Sequence, residues 1–201
     1  MRKLWFIFFI SVLFSGPAMA IKAPQDLVAE TTDKITSVLR VEQDKINSNP
    51  DRLYEIVDEV VLPHFDFHRM SSWVLGKYWN KANEKEREDF TQEFRFLLVR
   101  TYAKALNDNY DRKIVMLPVN VRKEGKEATV HTEVQQEAGF PIPIDYKMYI
   151  KGDAWKVYDV SVDGISLVAN YRTSFAKEIR KDGLPKLIAR LADRNKQAKS
   201  E

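Results

Sequence analysis

Cysteine is absent from this chain of 201 residues, and histidine and glycine are scarce, at 3 and 7. Without cysteine, the protein has no disulfides, no thiol catalysis and no thiolate metal site. The glycines stand singly, so no glycine-rich loop that could cradle a phosphate is present. A G-x-S-x-G motif is missing too, as is a serine near a histidine with a third orienting residue. The sequence therefore offers no convincing active site.

Long apolar runs are also missing after residue 20, and the first twenty residues have a pattern of their own. Arg2 and Lys3 give a positive start, an apolar stretch follows, and Ala18-Met19-Ala20 supplies small residues. This order predicts a secretory signal peptide, residues 1–20, cleaved after Ala20. Its apolar run of about 11 residues is shorter than the roughly 20 of a membrane-spanning helix. We expect the exported chain, residues 21–201, to be a single domain.

The charge of the exported chain is nearly balanced. Removing Arg2 and Lys3 lowers the basic count from 32 to 30, against 29 acidic residues, for a net charge of +1. A nucleic-acid binder would show a basic excess along one stripe. We therefore expect no nucleic-acid partner.

The periodicity of apolar residues divides the chain into three parts. Residues 24–110 repeat at helical spacing, 112–162 alternate with period two, and 165–193 are helical again. The tail after Asp193 is polar and is expected to fray. The strands are predicted at 112–122, 127–137, 142–151 and 154–162, with short antiparallel connections. The expected fold class is α+β, with a four-stranded curved antiparallel sheet and helices packed on one face.

Local signals mark several helix ends. Asn83 with Glu86 three residues later predicts a capping box. Gly76 is expected to end a short aromatic helix over residues 66–75. Asn49 and Pro50 are interpreted as the N-cap and first residue of a second helix.

A few polar residues are candidates for chemistry. His64 and His68 stand four apart around Asp66, which is compatible either with a zinc site or with imidazoles packed among aromatic residues; we expect no metal. His131 is placed on the wet face of a strand. Asp159 is interpreted as a cap or salt-bridge partner rather than as a proton-transfer base.

Aromatic residues are the clearest surplus. Of 4 Trp, 8 Tyr and 11 Phe, five lie in residues 1–20, and many of the others cluster between residues 65 and 102. Taken singly they are ordinary core residues. Taken as a set they are compatible with an apolar ligand pocket.

Two stretches resemble one family. Residues 155–175 combine W-K-V-Y-D-V, G-I-S-L-V and Y-R-x-x-F, a long and specific pattern. The second stretch runs from Phe65 through the Gly76-x-Tyr78-Trp79 segment to Tyr102. Both are similar to the MlaC family, also called the toluene-tolerance family, and the match covers nearly all of residues 25–192. Glu86-Arg87 replaces the Gln-Arg pair common in the family, at a solvated position.

The resemblance implies a periplasmic phospholipid carrier that is not an enzyme and has no cofactor besides its lipid cargo. Such a carrier shuttles glycerophospholipid between an outer-membrane lipoprotein and porin complex and an inner-membrane ABC transporter, with transient membrane proximity. A monomer is expected. The acyl chains would lie in a cone-like apolar cavity of NTF2-like character between sheet and helices.

The inward strand face and the neighbouring helices supply the expected pocket residues. These are Trp73, Leu98, Tyr102, Ile144, Tyr146, Met148, Ile165, Val168 and Phe175. Arg172 is a candidate for contact with the lipid headgroup, or else forms a salt bridge with Asp159 or Asp163. Two other classes stay open: a cone-shaped small-molecule enzyme with a buried Asp or Tyr, and an interaction module with a filled core.

Overall fold

The computed structural model describes residues 21–197, so the predicted signal peptide lies outside the described residues. Within that range, helices precede and follow a sheet. The helices are α1 (Pro24–Ser48), α2 (Asp51–Val60), α3 (Phe67–Leu75), α4 (Glu84–Asp108), α5 (Leu167–Asp182) and α6 (Leu184–Gln197), with 3₁₀ turns at Leu62–His64 and Gly76–Tyr78. The strands are β1 (Ile114–Met116), β2 (Asn120–Arg122), β3 (Glu127–Val134), β4 (Ile142–Lys151), β5 (Ala154–Val162) and β6 (Ile165–Ser166).

Side-chain caps fix several helix starts. The predicted capping box is confirmed, because the Asn83 side chain accepts from the Glu86 backbone N–H while Glu86 accepts from that of Asn83. Gly76 ends α3 with a φ of 53°, a conformation that glycine adopts readily. The second helix begins one residue later than expected, at Asp51, with Pro50 as its N-cap.

The sheet is antiparallel, in the order β1-β3-β4-β5-β6, with β2 also paired to β3. Between β4 and β5 the register shifts, so that Lys147 faces Asp159 and Met148 faces Val157. Tyr158 is therefore an extra residue on β5, and a bulge of this kind bends a strand and increases its local twist.

The expected strand count of four was wrong, since the described residues contain six strands. The predicted strand 112–122 is two short strands, β1 and β2, separated around Pro118. Proline has no N–H to donate to a sheet ladder, which explains the interruption. Ile165 and Ser166 form β6 by pairing with Val162 and Ser161, so the following helix starts at Leu167 rather than at residue 165.

Two buried clusters hold the layers together. The larger lies between the sheet and helices α3 to α6, and the smaller lies among α1, α2 and α4. Contrary to the expected fraying after Asp193, α6 continues to Gln197 and Asn195 is buried. The Asn195 side chain donates to the backbone oxygen and the carboxylate of Glu93, and these bonds compensate for burying the amide.

No helix among residues 21–197 is long and apolar enough to cross a membrane.

Candidate functional site

One end of the sheet's inner face is tightly packed. Side chains alternate along a strand, so Ile144, Tyr146 and Met148 of β4 all point to the helices. Met148 is fully buried, and its neighbours Ala128 on β3 and Val157 on β5 are also buried. We call Ala128, Met148 and Val157 the closed end of the sheet.

The other end of the same face is only partly covered. Ile144, Tyr146 and Val162 remain partly exposed, although their cross-strand neighbours Val130, Thr132 and Val160 are buried. Ile142 and Ile165 are 37% and 61% exposed. We call Ile142, Ile144, Tyr146, Val162 and Ile165 the open end. Large apolar side chains left accessible in adjacent strands are what a ligand-binding wall requires.

The helices contribute a second wall. Leu98, Val168 and Phe175 are buried in the cluster between sheet and helices, while Tyr102 and Tyr171 are partly buried against it. Tyr102 on α4 lies close enough to Tyr171 on α5 for the Tyr171 hydroxyl to raise its pKa. Tyr171 also packs edge-on against Phe94, with ring centroids 5.3 Å apart.

Tyr102 and Tyr146 in these walls are neutral. Burial, together with the neighbouring Tyr171 hydroxyl, raises the pKa of Tyr102 to about 12. Burial also raises the pKa of Tyr146, although a hydrogen bond with Thr132 opposes the shift. The walls therefore combine apolar surface with uncharged hydroxyls. Such a lining suits acyl chains, because a buried charge without a partner would be costly.

Sequence reasoning missed Tyr171 and Val162 as wall residues. Val162 is in phase with Val160 on β5, and Tyr171 stands four residues before Phe175 on α5. Both spacings can be read from the sequence, because residues two apart share a face of a strand and residues four apart share a face of a helix.

Most predicted pocket residues lie in the two walls, but Met148 is fully buried at the closed end and Trp73 lies elsewhere. Trp73 lies apart, because its ring packs edge-on against Tyr158, with centroids 4.8 Å apart. Tyr158 in turn contacts Tyr149, which points away from the face that carries Met148. Trp73 therefore belongs to a group outside the two walls.

Arg172 is exposed and close to Gly76, where an added Cβ would meet its guanidinium at 3.2 Å. Within the described part of the chain, Arg172 makes no salt bridge with Asp159 or Asp163, the alternative considered from sequence. It remains a candidate for headgroup contact.

Asp159 is both a cap and a salt-bridge partner, as interpreted from sequence. Its carboxylate accepts from Lys147 Nζ at 3.0 Å, from the Ser166 hydroxyl at 2.7 Å and from the Val168 backbone N–H at 3.1 Å. These three bonds join β4, β6 and the first turn of α5. A carboxylate so fully hydrogen-bonded is a poor candidate for a proton-transfer base.

Asp66 caps α3 and ties it to the sheet. Burial alone would raise its pKa, but hydrogen bonds from Lys151, Tyr149 and the Arg69 backbone N–H lower the pKa of Asp66 to about 2. The Arg69 guanidinium lies 3.8 Å from the centroid of the Tyr149 ring. His68 packs edge-on against Trp79, the aromatic environment that was one of its two interpretations. Over residues 21–197, no group of three or more His, Cys, Asp or Glu is placed to hold a metal.

His131 lies on the outer face of β3, as predicted, because its neighbours Val130 and Thr132 are buried on the inner face. Its Nδ1 is 2.7 Å from an oxygen of Asp145 on β4. This pair is a cross-strand contact on the solvent-facing side of the sheet.

Comparisons with known proteins agree on one family. The family model described as MlaC protein matches residues 29–193. The toluene tolerance protein ttg2D of Pseudomonas putida is 28% identical over 166 residues, covering 82% of this chain and 77% of that protein. The intermembrane phospholipid transport system binding protein MlaC of Haemophilus influenzae is 27% identical over 196 residues, covering 94% and 92%.

A solved structure has the same fold. The phospholipid-binding protein of Ralstonia solanacearum, determined in complex with a phospholipid, superposes with a TM-score of 0.80 at 27% sequence identity. The superposition covers 88% of this chain and 98% of the other.

Proposed function

The protein belongs to the MlaC family, and we propose that it is a phospholipid carrier that holds acyl chains between the open end of the sheet and helices α4 and α5. The observation that carries this proposal is the partly exposed, uncharged wall of Ile144, Tyr146 and Val162. The structural relative that binds a phospholipid supports the same assignment.

The headgroup would stay outside the pocket. Arg172 is exposed on the second turn of α5, the helix that starts next to the open end. A guanidinium is well suited to bind a phosphate through two parallel hydrogen bonds. We assign Arg172 to the headgroup phosphate on this basis.

Release of such a cargo into water would be very slow. A two-chain phospholipid exposes about 30 methylenes, and at ~0.8 kcal/mol each the escape costs roughly 24 kcal/mol. A barrier of that height gives a rate of about 10⁻⁵ per second, or a release time on the order of a day. Delivery therefore requires contact with a partner that offers a continuous apolar path. We propose that the partners are an outer-membrane lipoprotein and porin complex and an inner-membrane ABC transporter.

The compartment that fits this role is the periplasm. The pattern of residues 1–20 supports export, and the carrier would work as a monomer that crosses an aqueous space. Purification from the periplasmic fraction followed by intact mass measurement is expected to give a chain that begins at Ile21. A mass that retains residues 1–20 would contradict the export proposal.

The decisive experiment is lipid extraction. Protein purified without detergent is extracted into organic solvent, and the extract is analysed by mass spectrometry against phospholipid standards. The expected result is phospholipid in a stoichiometric amount. Repeated recovery of folded protein without phospholipid would overturn the proposal and favour an interaction module with a filled core.

A further inference from the structure

A groove separate from the open end runs along the flank of α4. Its cavity of about 1060 Å³ lies between α4 on one side and the end of α2, the first 3₁₀ turn and the start of α3 on the other. Its floor includes Leu62, Phe65, Phe67 and Phe96, and its rim includes Glu84 and Glu88. We call these six residues the flank groove. None of the predicted lipid-pocket residues contributes to its lining.

The floor of the flank groove is apolar and partly accessible. Phe65 and Phe67 stack with ring centroids 5.8 Å apart, and both remain partly exposed, as does Phe96. Phenylalanine is among the aromatic residues enriched at the core of protein interfaces.

The lining has a net negative charge, with the carboxylates of Asp58, Glu84 and Glu88 against the guanidiniums of Arg87 and Arg95. Arg95 is paired with Asp58, and Arg87 donates from Nε to the backbone oxygen of Trp79 at 2.9 Å, so the single positive charge of Arg87 faces two glutamates. Glu84 and Glu88 are exposed, and within residues 21–197 neither forms a salt bridge. Because they are four residues apart on α4, their carboxylates lie on the same side of the helix.

A buried polar atom in the groove also lacks a partner. Thr91 lines the cavity, and its hydroxyl oxygen is buried without a hydrogen bond within the described structure. Leaving such a group unsatisfied is unfavourable. A polar side chain on an occupant of the groove would remove this cost.

The shape and charge favour a helix over a lipid. Twelve residue steps separate Glu84 from Phe96, which corresponds to about 18 Å, or about three turns of a helix. The carboxylates of the rim would repel an anionic lipid or an anionic membrane. They would attract lysine or arginine side chains placed one turn apart on a docking helix.

We propose that the flank groove is a docking site for an amphipathic helix of a partner protein. That helix has an apolar face about three turns long and basic residues spaced i, i+4 along one edge. The docking site is independent of the lipid-binding proposal, since the two sites share no residue. A partner held there would leave the open end of the sheet free for lipid.

The test uses two synthetic helical peptides with the same leucine face, one with lysines and the other with glutamates at the two edge positions. Each carries a fluorophore, and binding to the full exported chain is followed by fluorescence anisotropy. The lysine peptide is expected to bind at least tenfold more tightly than the glutamate peptide. The double variant Glu84→Lys with Glu88→Lys is expected to reverse that preference.

A matched control comes from α1, which is also 25 residues long and also begins with acidic residues. Asp26→Lys with Glu30→Lys makes the same charge change at two exposed positions four apart, and it should leave the peptide preference unchanged. Circular dichroism establishes that both double variants are folded. Equal binding of the two peptides to the wild-type chain, or a reversal by the α1 control, would overturn the proposal.

Sedimentation velocity without peptide tests whether a second copy of this chain fills the groove. A wild-type monomer supports the partner-protein assignment. A dimer that the Glu84→Lys and Glu88→Lys changes dissociate, while the α1 control does not, would replace the partner protein with a second copy.

Discussion

The two ends of the sheet's inner face share strands β4 and β5, with β3 added at the closed end and β6 at the open end, and they differ in accessibility. At the closed end, Ala128, Met148 and Val157 are 2%, 0% and 3% exposed. At the open end, Ile144 and Val162 are only partly covered, and Ile165 is largely exposed. The residue types are equally apolar at both ends. The difference therefore lies in how far the rest of the chain covers these side chains.

This contrast separates residues that stabilise the fold from residues that we propose to contact lipid along one strand. Burial of large side chains at the closed end contributes to the free energy of folding. Apolar surface left uncovered at the open end contributes little to folding and becomes available to a ligand. A buried carboxylate connects a helix to the sheet near each end. Asp159 accepts from the backbone N–H of Val168 at the start of α5, near the open end. Asp66 joins α3 to the closed-end half of β4 by accepting from Lys151.

The largest expected effect is on stability at the closed end. Met148→Ala removes a fully buried side chain and leaves a cavity, and large-to-small changes of this kind cost about 2–5 kcal/mol. Ile144→Ala at the open end is expected to cost about 1 kcal/mol, because its side chain is already partly exposed. Urea unfolding of the lipid-free proteins measures both. Equal losses at the two positions would abolish the distinction between the ends.

A charge at the open end is expected to remove the lipid. Ile144→Asp places a carboxylate in the apolar wall, at a cost to the bound state of about 3 kcal/mol, or roughly a hundredfold in affinity. Thr129→Asp is the matched control, since it makes a similar change on the outer face of β3. Bound phospholipid per folded protein is quantified by mass spectrometry. Full lipid content in Ile144→Asp would exclude this position from the pocket.

Removing the Asp159 charge is expected to destabilise the start of α5, which lies next to the open end. Asp159→Asn weakens the bonds to Lys147, Ser166 and the Val168 backbone N–H, and we expect a loss of about 2 kcal/mol. Hydrogen exchange should accelerate in the first turns of α5 more than in β4. Unchanged exchange in α5 would show that other contacts fix the start of this helix.

The smallest effect concerns Asp66 and depends on pH. Its pKa is lowered from 3.8 to about 2, so its contribution is present at pH values above 3.8 and is lost as the pH falls through 2. Asp66→Asn should therefore be less stable than wild type at neutral pH by about 2 kcal/mol, and the gap should shrink between pH 4 and pH 2. Thermal unfolding of both proteins between pH 2 and pH 7 measures this difference in stability. A constant gap would mean that the carboxylate charge contributes nothing.

Much of the site could be predicted because strand periodicity is local. The alternation in residues 142–151 placed Ile144, Tyr146 and Met148 on one face, and the capping box set the start of α4. The position of Trp73 could not be predicted, because it depends on how α3 meets the bulge at Tyr158. The proximity of Tyr102 to Tyr171 involves residues far apart in sequence, so no local pattern predicts it.

Dependence on distant parts of the chain also explains why the ends of some strands and helices were predicted wrongly. Proline inside an alternating stretch is compatible with one edge strand or with two short strands, and the structure has two. A polar tail suggests fraying, but Asn195 is held by hydrogen bonds to Glu93 on α4, 102 residues earlier. Both outcomes depend on partners that only the folded chain supplies.

Photo-crosslinking with a phospholipid that carries a diazirine in one acyl chain tests the central assignment most directly. The loaded wild-type protein is irradiated and digested, and the modified peptides are identified by mass spectrometry. Adducts are expected in residues 142–150 of β4 and in 160–171, which contain the open end and the start of α5. Adducts confined to residues 58–68 and 84–96 would place the chains in the flank groove and contradict the assignment to the open end.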